Sequence, residues 1–271
     1  MRLAMGIEYD GGRYHGWQRQ SHCDSVQERL ERAIGRVANG PVDVVCAGRT
    51  DRGVHATGQV VHFDVDVERP LYGWQMGTMQ HLPRDISVMW VRDAGPEFHA
   101  RFSATAREYR YALVNRSTRP ALSAGRLTWW YRPLDAERMQ EAALGLLGEH
   151  DFSSFRGKDC QAHTPVRTLE SIAVNRQGDY LFIDIRANAF LHHMVRNIVG
   201  SLFAIGAGER PVDWLVEVLA RRNREAAGIT APADGLYLTG VTYPGRFGLP
   251  ARPRRPLFEQ VGGFERASES C

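Results

Sequence analysis

"CAGRTDRGVHATGQVVHF", residues 46–63, couples a glycine-bent loop to an alternating apolar run. Gly48, Gly53 and Gly58 punctuate it, and one acid, Asp51, stands among Arg49, Arg52 and His55. After the loop, Val61, Phe63 and Val65 recur at every second position, the period of a half-buried strand. The loop alone admits several readings of Asp51. It can be a turn aspartate bonding its own backbone. A phosphate cradle is a poor fit, because no Gly-x-x-x-x-Gly-Lys is present and a central acid repels phosphate. A metal site is also poor, since His55 and His62 match no common ligand spacing. A nucleophilic aspartate remains, and neighbouring arginines favour the ionised form that it needs.

Outward from this stretch, the chain reads as alternating strands and helices. Residues 2–9 and 42–47 read as strands, with a helix from about residue 25 between them. Asp24 or Ser25 caps that helix, and Val26, Leu30, Ala33, Ile34 and Val37 form its apolar stripe. A strand over 59–66 is followed by a helix over 70–81 and a strand over 86–91. Residues 104–114 place Arg107, Tyr109 and Tyr111 on one face and Glu108, Arg110 and Ala112 on the other. A helix over 136–148 begins at Asp135. Residues 167–175 and 180–187 form a hairpin about Gln177-Gly178-Asp179. A helix covers 190–205, another follows Pro211, and 236–242 returns as a strand. Two halves of similar order imply an α+β fold of two lobes, each an antiparallel-rich sheet with helices on one side. The expected division is 1–103, 104–247 and a Pro-, Gly- and Arg-rich tail, 248–271. Residues 149–164 form an irregular loop long enough to suspect a function.

Composition narrows the class. The 271 residues are 43% hydrophobic and 24% charged, as in globular proteins. No apolar run approaches the ~18 residues of a membrane span, and the N-terminus turns polar too early for a secretory signal. Four scattered cysteines, without Cys-x-x-Cys, argue against a metal cage or disulfide framework and for a reducing cytosol. Lys158 is the only lysine among 34 basic residues. Codon bias in a GC-rich genome explains that, but arginine forks also bind phosphate and stack on bases.

The stretch resembles the active-site loop of TruA-type tRNA pseudouridine synthases, Gly-Arg-Thr-Asp-x-Gly-Val-His. "IEYDGGRYHGWQRQ" (7–20), "FHARFSATAREYRY" (98–111), "DFSSFR" (151–156), "ANAFLHHMVRNIVGSL" (187–202) and "GLYL" (235–238) resemble that family's other signatures in order. Arg52 stands where many members carry a small residue. The resemblance implies isomerisation of uridine to pseudouridine at positions 38, 39 and 40 of the tRNA anticodon stem-loop. It implies no cofactor and no metal, a cytoplasmic homodimer, and a tRNA lying across both subunits. It also implies two lobes whose sheets form one floor under a central cleft.

By the same resemblance, Asp51 is the catalytic group and Arg196 its counter-ion. Read from the residues alone, Arg196 sits mid-helix on an apolar-leaning face with Val199 and Phe203, where it needs an anion that a local salt bridge could also supply. His192 and His193 read as packing or phosphate contacts rather than metal ligands. Tyr109 reads as core from its strand and as a stacking partner of the target uracil from the resemblance. Arg49 would hold the target nucleotide out of its stack, since a base inside a helix cannot otherwise be reached. His99, Arg101 and Arg110 are expected RNA contacts. Two rival classes remain: a non-catalytic RNA-binding module, and a nucleoside or glycoside hydrolase, which commonly uses two carboxylates.

Overall fold

The structure is a computed structural model and describes residues 1–250 and Pro256; most of the expected tail lies outside the described residues. The first half holds β1 (Arg2–Tyr9), α1 (Val26–Ala38), β2 (Val45–Cys46), β3 (His55–Asp64), α2 (Leu71–His81) and β4 (Ile86–Asp93). The second holds β5 (Ala106–Asn115), β6 (Thr128–Trp130), α3 (Ala136–Leu144), β7 (Gly148–Asp151), β8 (Val166–Gln177), β9 (Tyr180–Ala187), α4 (Met194–Gly206), α5 (Trp214–Arg221) and β10 (Leu236–Thr242). The strands join into one sheet in the order β4-β1-β3-β10-β5-β9-β8-β7, with β2 on β3 and β6 on β5. Most pairs are antiparallel. The joint between halves is not: β10 leaves the second half and pairs parallel with β3 through Tyr237↔His55 and Leu238↔Ala56.

Local chemistry explains the helices. The Ser25 hydroxyl accepts from the Glu28 amide at 3.3 Å and caps α1, a contact commonly worth ~1 kcal/mol. The α1 stripe of Val26, Leu30, Ala33, Ile34 and Val37 is buried. Asp135 caps α3 by accepting from Glu137 and Arg138, both at 3.0 Å. This helix is shorter than its sequence suggests: Gly148, at φ 99°, turns the chain into β7. The expected strand at 42–47 shrinks to Val45–Cys46, while β3 begins at His55, ahead of the expected residue 59.

Directly paired residues share a face of a sheet. Ala56, Leu238, Tyr109 and Ile185 thus form one row across four strands, and His55, Tyr237, Arg110 and Asp184 form a row on the opposite face. The first row lies under two apolar cores. One packs Leu3, Met5, Ile7, Val61 and Phe63 against α1 and α2 residues such as Leu30, Ile34 and Trp74. The other packs Leu181, Ile183 and Ile185 against Met139, Ile198, Leu202 and Leu215. Tyr109 touches both cores, so it stands at the seam between the halves.

Candidate active site

The loop carrying Asp51 is fastened on every side. Trp17 donates its amide to the Thr50 carbonyl at 2.9 Å. The hydroxyls of Tyr9 and Thr50 are 2.8 Å apart. The Gln59 side-chain amide donates to the Gly48 carbonyl at 2.6 Å. Val54 closes a turn on the Asp51 carbonyl at 3.1 Å, with Gly53 at φ 80° supplying the left-handed bend. The carboxylate is therefore set by backbone and side-chain bonds on both flanks, as the glycine pattern requires.

Three cationic or ionisable groups from one segment meet it. His192 Nε2 lies 3.3 Å from Asp51 Oδ1, His193 Nε2 3.2 Å from Oδ2, and Arg196 Nη1 3.4 Å from Oδ2. Arg196 is anchored a second time, its Nε donating to the Ala231 carbonyl at 2.7 Å. It is not mid-helix. α4 begins at Met194 because His193 adopts φ 60°, a left-handed conformation that ends any helical run from residue 190. The displaced start places Arg196 in the first turn and sets Asp51 at the positive end of the helix dipole. Burial pushes the Asp51 carboxyl up. The His193 hydrogen bond and the charges of His193, His192 and Arg196 outweigh burial and hold it below the ordinary carboxylate range.

Tyr109 faces this carboxylate from the sheet floor. Burial first, then the Asp51 charge, drives its hydroxyl pKa well above the ordinary phenol value, so it is a neutral donor at physiological pH. Phe190 meets its ring edge-on at 5.1 Å between centroids. Sequence reasoning does not join Phe190 and the two histidines into a unit. Their signal is the run Phe-Leu-His-His-x-x-Arg, which puts two imidazoles shortly before the arginine.

The remaining expected RNA contacts separate. Arg49 and Arg101 are exposed, and both charges act on the Cys46 thiol, which burial raises to about 12 against their pull. Arg107 ties this rim together, donating to the carbonyls of Ala47 at 3.2 Å and Arg101 at 2.6 Å. His99 sits against Phe102 and His62, with ring centroids at 4.3 and 4.7 Å. Its Nδ1 accepts from the Arg101 and Phe102 amides, so it shapes the turn that presents Arg101. Arg110 is a correction. It is 2% exposed and lies on the face opposite Tyr109. It forks onto Asp184 with two 2.7 Å bonds and covers the Phe182 ring at 4.9 Å. Strand alternation turns it to the buried face opposite Tyr109, against the expectation of an exposed RNA contact.

The expected loop at 149–164 begins as β7 through Asp151, and its later part lies against the histidines. Gly157 donates to the His192 carbonyl at 2.8 Å, and the His192 amide donates to Cys160 Sγ at 3.4 Å. Arg156 holds the loop closed through the carbonyls of Cys160 and Ala162, at 2.7 and 3.0 Å.

A family model described as tRNA pseudouridine synthase matches residues 5–103 and 142–244. The chain belongs to the tRNA pseudouridine synthase family. Relatives named tRNA pseudouridine synthase A agree with this along nearly the whole length. The one from Photobacterium profundum is 55% identical over 258 residues, covering 95% of this chain and 99% of the relative. Those from Enterobacter sp. (strain 638) and Aeromonas hydrophila subsp. hydrophila are 56% and 55% identical, each over 95% of this chain and 95% or 96% of theirs. Asp51 lies within the first matched segment, and His192, His193 and Arg196 lie within the second; Tyr109 falls between the two.

Proposed function

We propose that the chain isomerises uridine to pseudouridine in tRNA, at positions 38, 39 and 40 of the anticodon stem-loop, with Asp51 as the reacting carboxylate. The observation that carries the reading is the single carboxylate held ionised by His193, His192 and Arg196 and faced by Tyr109. The reaction breaks the bond between uracil N1 and ribose C1′, turns the base, joins C5 to C1′, releases the C5 proton and leaves N1 protonated. No electrons enter or leave, so the chemistry calls for no redox partner. Asp51 can attack the sugar or remove a sugar proton to give a glycal; both begin from the ionised form. Arg196 keeps it so and fixes its direction.

In this reading Tyr109 stacks on the flipped uracil, and its neutral hydroxyl assists the late loss of the C5 proton. Arg49 and Arg101 line the exposed rim, where guanidinium planes suit phosphate and unstacked bases. Arg49 takes the place vacated by the extruded nucleotide. The working form in this reading is a cytoplasmic homodimer without a cofactor, each tRNA spanning both subunits. Among the described residues no helix is long and apolar enough to cross a membrane.

Tritium release from tRNA labelled at uridine C5 tests the assignment. Release without free uracil is expected. Free uracil would make the protein a hydrolase, and binding without either product would make it an RNA-binding module.

A further inference from the structure

Asp51, His192 and His193 face one another as a donor set. Each imidazole turns Nε2 toward a different oxygen of the same carboxylate, at 3.3 and 3.2 Å, and the three donor atoms lie within 4.8 Å of one another. Zinc–nitrogen and zinc–oxygen bonds of about 2.1 Å set neighbouring tetrahedral ligands roughly 3.4 Å apart. Each observed separation is close to that length but runs to a different oxygen, so ligation through one oxygen requires the carboxylate to turn. Both rings turn Nε2 toward the one carboxylate; they are stacked at 3.8 Å between centroids with 28° between their planes, so sharing one ion requires the rings to splay. Backbone bonds from Gly157 to the His192 carbonyl and from the His192 amide to Cys160 fix the segment. All three side chains remain about a third exposed, which leaves a path for an ion and an open position for water. Among the described residues it is the cluster of histidine, cysteine and acid groups close enough to hold an ion.

We propose that these three residues bind a divalent transition metal such as zinc, and that the bound metal inhibits the enzyme by occupying the carboxylate. Two imidazoles and one carboxylate suit zinc, cobalt, nickel and copper; magnesium prefers oxygen ligands and water. Magnesium that folds tRNA therefore does not compete. Arg196, 3.4 Å from Oδ2, opposes a second cation and makes the site reversible. The binding half stands on geometry alone, while the inhibition half rests on the reading of Asp51 as the reacting group.

Cobalt(II) titrated into RNA-free protein tests it, because a tetrahedral cobalt site absorbs in the visible. The band is expected in the native protein and in His150→Ala, a histidine outside the cluster. It is expected to vanish in Asp51→Asn, a near-isosteric change whose fold is checked by thermal melting, and His193→Ala should weaken cobalt binding by about tenfold or more. Zinc should displace cobalt and stop tritium release, chelator should restore it, and magnesium should do neither. No band in the native protein, or a band undiminished in Asp51→Asn, overturns the site. A cobalt band with zinc-insensitive turnover overturns the inhibition. A native protein that binds cobalt but never releases tritium would instead overturn the functional reading.

Discussion

Asp51 and Arg196 are separated by 145 residues and meet at 3.4 Å across the seam between the two halves. The carboxylate comes from a loop fastened to β1 and β3, and the guanidinium from the first turn of α4. Neither half has a complete site without the other.

Asp51→Asn should abolish isomerisation and leave tRNA binding intact or tighter. The substitution removes the reacting oxygen anion and also a negative charge beside an RNA phosphate path. Tritium release and gel-shift affinity check the two halves. Retention of more than a few per cent of the native rate would sink the assignment.

The acid limb of activity should lie below the ordinary carboxylate range and move upward in Arg196→Gln. A carboxyl held low is ionised through neutral pH, and its contribution to activity is lost only as pH falls through that lowered value. Removing Arg196 leaves burial, which acts upward, less opposed. Single-turnover rates across acidic pH measure the shift; an unmoved limb would mean that the histidines alone hold Asp51 ionised.

Arg101→Ala and Arg110→Ala should diverge. Loss of an exposed phosphate contact at Arg101 should reduce the salt dependence of tRNA affinity by about one unit of slope. Arg110→Ala should leave the slope alone and cost stability on the order of 3 kcal/mol, because it removes a buried fork from Asp184. Salt titrations and chemical denaturation separate them.

Gly157→Ala should slow turnover by an order of magnitude or more without unfolding the protein. A Cβ there would stand 2.8 Å from His192 Nδ1 and 3.2 Å from His193 Nδ1, too close to leave the pair in place. Displacements of about 1 Å in a catalytic constellation commonly cost as much as 100-fold. An unchanged rate would show that the strap at 156–160 yields instead of the histidines.

Tyr109→Phe should bind tRNA normally yet lose about 100-fold or more in the final proton removal, whereas Tyr109→Ala should also lose stacking, of order 1–3 kcal/mol. Single-turnover kinetics with gel-shift affinity distinguish them. If Phe turns over at the native rate, the ring is a platform and the base lies elsewhere.

Much of this arrangement is legible in residue patterns because local rules govern it. The stripe of α1, the cap of Asp135 and the alternation along β5 each follow from one period or one side chain. That alternation also sets Tyr109 and Arg110 on opposite faces; which face is open to RNA depends on Phe182 and Asp184, which belong to a strand far along the chain. The short strands β6 and β7 carry too few residues to show a period. The start of α4 is hidden for a different reason. His193 occupies a conformation that side chains other than glycine rarely adopt, and the apolar pattern of 190–205 conceals it. The imidazole pair cannot be aimed at Asp51 without that bend.

The place of β10 governs the order in which the protein can be made. Until residues 236–242 leave the ribosome, the β3 margin at His55 and Ala56 has no strand to meet; β2 covers only Val61 and His62. The first half must wait through most of synthesis with that margin bare, and an unpaired strand margin is a template for pairing with other chains. Long-range closure of this kind is slow. Chains interrupted before residue 236 would therefore be prone to aggregate, and β10 acts as the latch that makes the seam joining Asp51 to Arg196 and the solubility of the first half a single event.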